Sequence, residues 1–333
     1  EGMFLVELDE KSGALNKVYQ QNDVKNPGFL TLSPDKRFLY TVAAGNKIRA
    51  YKIEKNATLT FLNEKNSTGK GPCHIEISKS AKALVVANYS SGDTTVISIA
   101  ADGSLTGEPR NHSHKKYPLS GTHKAQSGPR AHNVKMSPDG RYVFVSDLGL
   151  DKIIVYKFDD SFEKLTRSKP EYIKVASGAG PRHFTFHPNG KFAYVINELN
   201  SSISVFHYLG DGKLSLKQSI STKPENWQEY NNCADIHVHP NGKFLYGSNR
   251  GNNSIVIYKI NPKDATLTLI GHESTRGNWP RNFAISPSGD YLLVANQKSN
   301  NLQAFKINKE TGKLQFSGHS LTLPKPICIK FVK

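Results

Sequence analysis

Apolar and polar residues alternate along this chain in short runs, and no stretch carries long helical periodicity. In Gly180–Tyr208, GPRHFTFHPNGKFAYVINELNSSISVFHY, Phe184-Thr185-Phe186 reads as a short strand and His187-Pro188-Asn189-Gly190 as a tight turn. Phe192–Asn197 and Ile203–Tyr208 read as two further strands. The turn returns as SPDK at Ser33–Lys36, SKSA at Ser78–Ala81, SPDG at Ser137–Gly140, HPNG at His239–Gly242 and SPSG at Ser286–Gly289, at intervals of about 45 to 59 residues. Each copy continues into an apolar strand, a polar turn, another strand and a weaker fourth strand such as Lys213–Gln218 or Lys313–Phe316. Four strands in about fifty residues make a propeller blade.

The pattern predicts an all-β fold, a seven-bladed β-propeller of four-stranded antiparallel blades, with residues 1–333 as one domain. The seventh copy is split between the chain ends: Pro324–Phe331 reads as a first strand, Met3–Leu8 and Ala14–Tyr19 as third and fourth. Pairing the N- and C-terminal segments in one blade closes the ring and leaves no open sheet edge. The second strand of that blade is then expected before Glu1. Two longer loops lead into innermost strands: Ala101–Gly128, with His112, His114, Lys115, Lys116, His123 and Lys124, and Ser221–Asn232, with Trp227 and Tyr230. Both are expected on the face where innermost strands begin, and long loops on one face of a rigid scaffold carry binding.

A formal net charge of +16 adds a field that draws in anions, whether nucleic acid, an acidic membrane or a small phosphorylated or carboxylated substrate. The lysines are dispersed over turns and outer strands rather than gathered in a run, which argues against nucleic acid as a partner. No apolar run reaches the roughly 18 residues that span a bilayer, so no membrane segment is expected. Cys73, Cys233 and Cys328 do not make a disulfide framework and point to a reducing compartment. The expected location is the cytoplasm, or the periplasm where a signal segment precedes residue 1, and the expected assembly is a monomer or weak homodimer.

Overlaying the repeats turns sequence positions into rings about the axis. At the position of Arg182, where an innermost strand begins, the chain has Gly28, Cys73, His132, Arg182, Ala234, Arg281 and Lys325. The next position carries Phe29, His74, Asn133, His183, Asp235, Asn282 and Pro326. The second strand runs back antiparallel, so its end lies on the same face, giving Ala44, Tyr89, Leu148, Glu198, Arg250 and Gln297, preceded in most blades by Asn or Asp. That Asn reads as structural, since its amide bonds nearby backbone in turns. Arg182, Arg250, Arg281, Lys325 and His132 thus converge on one mouth, where like charges repel, and a planar guanidinium fork suits carboxylate or phosphate. Lone surface pairing explains such convergence poorly; an anion site explains it well. His112-x-His114 and His237-x-His239 lack a third ligand, so no metal and no cofactor are expected. Cys73 reads as a small apolar filler rather than a nucleophile. No G-x-S-x-G motif or glycine-rich phosphate loop is present.

GPRHFTFHPNGKFAYVINELNSSISVF, PRAHNVKMSPDGRYVFVSDLGLDKI, ADIHVHPNGKFLYGSNRGNNSI and PRNFAISPSGDYLLVANQ together resemble the seven-bladed propeller lactonase family, whose members include bacterial propeller-type 6-phosphogluconolactonases and fungal carboxy-muconate cyclases. The resemblance covers essentially the whole chain. It implies a lactonase acting on a small anionic lactone, with the family's His, two Arg and Glu falling on His132, Arg182, Glu198 and Arg250. Arg130 in PRAHNV departs from the PHAHSV more common in the family. The expected reaction is metal-independent hydrolysis of a phosphorylated sugar lactone, 6-phosphogluconolactone to 6-phosphogluconate. Glu198 or His132 would be the base, Arg182 and Arg250 the clamps for oxyanion and anion, and Arg281, Lys325, His74, His183 and Asp235 the substrate contacts. The alternatives are a carboxy-muconate lactonising enzyme and a non-enzymatic propeller of the WD-repeat kind that holds an anionic partner.

Overall fold

The recurring turn closes each hairpin with its own side chains. Ser33 Oγ accepts the Phe38 N–H at 2.9 Å and donates to Asp35 at 2.6 Å; Ser137 repeats this with Tyr142 and Asp139 at 2.9 and 2.5 Å. Where histidine replaces serine, the ring does two jobs. Nδ1 of His187 and of His239 accepts the N–H of Asn189 and Asn241, and Nε2 donates to the carbonyl of Gly242 and Gly289 in the following blade.

The computed structural model describes residues 2–161 and 163–332. Among them the strands form six four-stranded antiparallel sheets in sequence order, plus a two-stranded sheet of Met3–Leu8 and Leu15–Gln21. The innermost strands of blades 1 to 6 are Leu30–Leu32, Pro72–Ile77, Ala131–Met136, Pro181–Phe186, Asn232–Val238 and Pro280–Ile285. The second strands, such as Ala83–Asn88 and Phe192–Asn197, are buried along their whole length because a neighbouring blade covers each face. Apolar clusters accordingly fill the wedges between blades, as where Phe144, Ile153 and Val155 of blade 3 meet Phe184, Ala193 and Val195 of blade 4. Buried tyrosines rivet the wedges: Tyr40 donates to Gly103 O, Tyr194 to Ala265 O and Tyr246 to Gly312 O, each in an outer turn of the next blade, at 2.9 to 3.2 Å.

Among the described residues the chain ends meet without the second strand, which the split-blade reading places before Glu1. Residues 324–332 run beside the axis with no strand among those described. The Ile329 N–H donates to Asn282 Oδ1 at 2.7 Å, and Cys328 Sγ takes the Leu30 N–H at 3.4 Å. Ile329 and Phe331 join Phe4, Val6 and Leu8 against Leu293 and Leu302. No second strand lies between the two segments among the described residues, so they are held by side chains instead of paired backbone. The long loop is also shorter than expected, since Leu105–Ser113 forms the outer strand of blade 2.

Tyr246→Phe, which removes only a hydroxyl, is expected to lower the unfolding free energy by about 1 kcal/mol. Leu209→Ala, at a site 57% exposed, should change it little. Urea unfolding of both variants checks the rivet.

Candidate active site

A repeated backbone irregularity builds the mouth. In blades 2, 3, 4 and 6 the ladder between the two innermost strands slips between Pro72 and His74, Ala131 and Asn133, Pro181 and His183, and Pro280 and Asn282. The residues left over are Cys73, His132, Arg182 and Arg281. In blade 5 the slip falls between Cys233 and Ile236 and releases Ala234 and Asp235. A β-bulge takes its extra residue out of the alternation and re-aims the side chain. The expected ring at the position of Arg182 is therefore, in these blades, a ring of bulges.

The ends of the second strands supply the rest. Glu198, just past Phe192–Asn197, places one carboxylate oxygen 2.8 Å from Arg182 Nε and 2.8 Å from Arg250 Nη2. Arg182 also donates to Ala234 O at 2.5 Å and Arg250 to Cys233 O at 2.6 Å. Both guanidiniums are buried, at 2% and 3% exposure, so this is no solvated surface pair. Among the described residues the second Glu198 oxygen meets only Asn232 Nδ2, at 3.4 Å. Arg281 is half-buried and has no hydrogen-bond or carboxylate partner among the described residues. The ring of His132 is buried, edge-on to Tyr89 and to His183 at 5.5 and 5.4 Å, and its Nδ1 has no partner. Arg250 Nε is likewise buried and unpartnered.

These contacts fix the charge states. Burial alone would raise the Glu198 pKa, but Arg250 and Arg182 hold it below the ordinary carboxylate value. Burial and the repulsion of Arg250 and Arg281 pull Arg182 down to about 9. Burial and the neighbouring Arg182, His183, Arg281 and Arg250 push His132 well below 6.5, leaving a neutral imidazole. Burial lifts the Cys73 thiol to about 12, so it stays protonated and packs as a filler.

The remaining candidates divide by depth. His74, His183 and Asp235 form a layer below the mouth whose bonds run within the protein. Asp235 accepts from His183 Nδ1 at 2.7 Å, Asn282 Nδ2 at 2.5 Å, His237 Nε2 at 3.0 Å and the Ile236 and Phe283 amides. His74 bonds Asn133 at 2.8 Å. Asp235 thus joins blades 4, 5 and 6 and His74 joins blades 2 and 3, and the layer is not an open anion site. Lys325 is exposed in a left-handed turn, its amide bonded to Asn300, and shares no ion pair with the arginines among the described residues. The histidines of the long loop serve the scaffold: His114 is buried between Asp147 at 2.7 Å and Thr94 at 3.1 Å. Among the described residues no group of three or more His, Cys, Asp or Glu is placed to hold a metal ion, and no helix is long and apolar enough to cross a membrane. The overlay of repeats did not single out Trp279 and Lys298; Arg250 and Lys298 lie over the Trp279 ring at 5.3 and 3.5 Å.

Residues 1–331 match the family described as Lactonase, 7-bladed beta-propeller. A Formosa agariphila protein named 6-phosphogluconolactonase is 40% identical over 294 residues, covering 85% of this chain and 82% of that one. A crystal structure from Bacteroides fragilis superposes with a TM-score of 0.92 at 35% identity, covering 99% of this chain and 93% of the other. The Pseudomonas aeruginosa periplasmic gluconolactonase PpgL does so with a TM-score of 0.90 at 30% identity, covering 96% and 92%.

Burial places the folded pKa of His74, His132 and His183 below that of a free histidine, His183 at about 4. Between pH 6.5 and about 4 the unfolded chain therefore binds more protons than the folded one. Stability should be full above about pH 6.5 and fall below it, by roughly 1 kcal/mol per histidine for each pH unit. Urea midpoints measured from neutral to acidic pH check this; an unchanged midpoint would mean that these rings titrate as they do in the unfolded chain.

Proposed function

Because the chain belongs to the seven-bladed β-propeller lactonase family, we propose that it hydrolyses a phosphorylated sugar lactone, 6-phosphogluconolactone, to 6-phosphogluconate, with its own side chains and without a metal. The observation that carries this is a mouth with three guanidiniums, of Arg182, Arg250 and Arg281, and one carboxylate, Glu198, beside a buried neutral imidazole. An anionic substrate restores the balance of charge, and the imidazole offers a proton acceptor. Three free cysteines fit a reducing compartment, and we place the enzyme in the cytoplasm.

His132 is the better base of the two candidates. Glu198 spends one oxygen on two guanidiniums, which lowers its proton affinity, whereas His132 Nδ1 has no competing partner. In this mechanism His132 takes a proton from water as the water oxygen bonds to the lactone carbonyl carbon. The negative charge that gathers on the carbonyl oxygen faces Arg250 and Arg281, whose uncommitted donors stabilise it. The bond from that carbon to the ring oxygen then breaks, and the proton on His132 passes to the leaving oxygen as a hydroxyl forms. The carboxylic acid product ionises. Arg182, with Nε and Nη1 both engaged inside the protein, sets Glu198 in place instead of clamping substrate.

Turnover of 6-phosphogluconolactone above its spontaneous hydrolysis is the direct test; binding of 6-phosphogluconate without turnover would favour a binding propeller. His132→Gln should lower kcat roughly 10²- to 10⁴-fold with a small change in stability. Glu198→Gln should lower activity and also destabilise the fold by about 3 to 5 kcal/mol, because it leaves two buried guanidiniums without a counter-ion. Since His132 is depressed below 6.5, the acidic limb of kcat/KM should lie below pH 6.5. KM should rise with salt as the mouth is screened, and EDTA should leave kcat unchanged.

A further inference from the structure

The mouth end of blade 6 departs from the corresponding ends of blades 2 and 4. The residue before the proline that opens the innermost strand is Gly71 in blade 2 and Gly180 in blade 4, with φ of 64° and 63°. At Gly180 an added Cβ would lie 2.5 Å from Leu199. Blade 6 has Trp279 at the equivalent place and keeps the same left-handed backbone, at φ 67°. That conformation is free for glycine and strained for a bulky residue. The fold enforces it: the Trp279 N–H donates to Asn253 Oδ1 at 2.8 Å and its carbonyl accepts the Gln297 N–H at 3.0 Å. Strain held by a rigid frame marks a residue kept for its side chain.

The Trp279 ring gathers cations. Lys298 Nζ lies 3.5 Å from its centroid and Arg250 Cζ 5.3 Å, and the Tyr230 ring stands nearly parallel, 9° off and 6.4 Å away. Arg281 and Lys298 flank one strand-pair end, where Pro280 faces Asn296 in the ladder. Neither cation has a carboxylate partner among the described residues, and Glu198 is already shared by Arg182 and Arg250. Burial first, and then the neighbouring Arg250, hold the Arg281 pKa below its ordinary value.

We infer that Lys298, seated on Trp279 at the strand-pair end that also carries Arg281, forms an outer subsite that takes the phosphate of the substrate and so selects phosphorylated over unphosphorylated sugar lactones. This rests on the lactonase reading above. The indole face partly desolvates the ammonium and fixes its place at the rim, so it meets the phosphate as a preorganised donor. Tyr230 walls the subsite from the side of blade 5.

The test compares 6-phosphogluconolactone with gluconolactone for the unmodified protein, Lys298→Met, Lys298→Arg and Trp279→Leu, with melting temperatures recorded. Lys298→Met should raise KM for the phosphorylated lactone roughly 10- to 100-fold at nearly constant kcat and leave gluconolactone untouched. Lys298→Arg should recover most of the loss, and Trp279→Leu should move KM in the same direction as Lys298→Met. Calorimetric titration with 6-phosphogluconate and gluconate reads the subsite without catalysis. If neither lactone is turned over but Lys298→Met abolishes a preference for 6-phosphogluconate, the lactonase reading falls and the subsite stands. A Lys298→Met protein that changes both ligands equally, or neither, overturns the subsite.

Discussion

One carboxylate held between two buried guanidiniums constrains the whole mouth. Glu198 reaches Arg182 from its own blade and Arg250 from the next, and each arginine also donates to a backbone carbonyl of blade 5. Buried charges persist only when paired and hydrogen-bonded, so the spacing of blades 4 and 5 and the state of the site are one constraint. The arrangement leaves a net positive opening without exposing an isolated buried charge.

Asp235 has the matching role in the layer below. Its carboxylate accepts five donors from blades 4, 5 and 6, and Asn282, which it holds, in turn takes the Ile329 amide near the chain end. Burial opposes its ionisation, yet the two histidines keep its pKa well below the ordinary value. The polar plug on the axis thereby links the floor of the mouth to the meeting of the chain ends. The tyrosine rivets do at the outer wall what Asp235 does at the centre.

The repeat was legible because its turn chemistry is local: Ser33 or His187 fixes a hairpin by bonds to residues two to five positions away. Ring positions followed from that register, and with them His132, Arg182, Glu198, Arg250 and Arg281 were brought to one opening. What counting could not supply was the third dimension. His183 and Asp235 occupy ring positions as inviting as that of Arg182, yet their side chains bond each other between adjacent blades. Lys325 aligns with Arg281 only if residues 324–331 form a bulged strand, and no strand is present there. Trp279 is marked in sequence only by its register, ahead of Pro280 where blades 2 and 4 carry Gly71 and Gly180; that it keeps their backbone conformation is visible only in the structure.

The bulges carry one more implication. The slip in the ladder recurs with cysteine, histidine or arginine at the extra position, so the backbone and not the side chain makes it. Each of these four blades thus offers a seat already aimed at the axis, and at Arg182 the occupant's bonds also tie neighbouring blades together. At the seats of His132 and Arg281, exchange of occupants changes what the channel recognises while the scaffold stands still, so part of one ring can be retuned from one ligand to another by substitution alone.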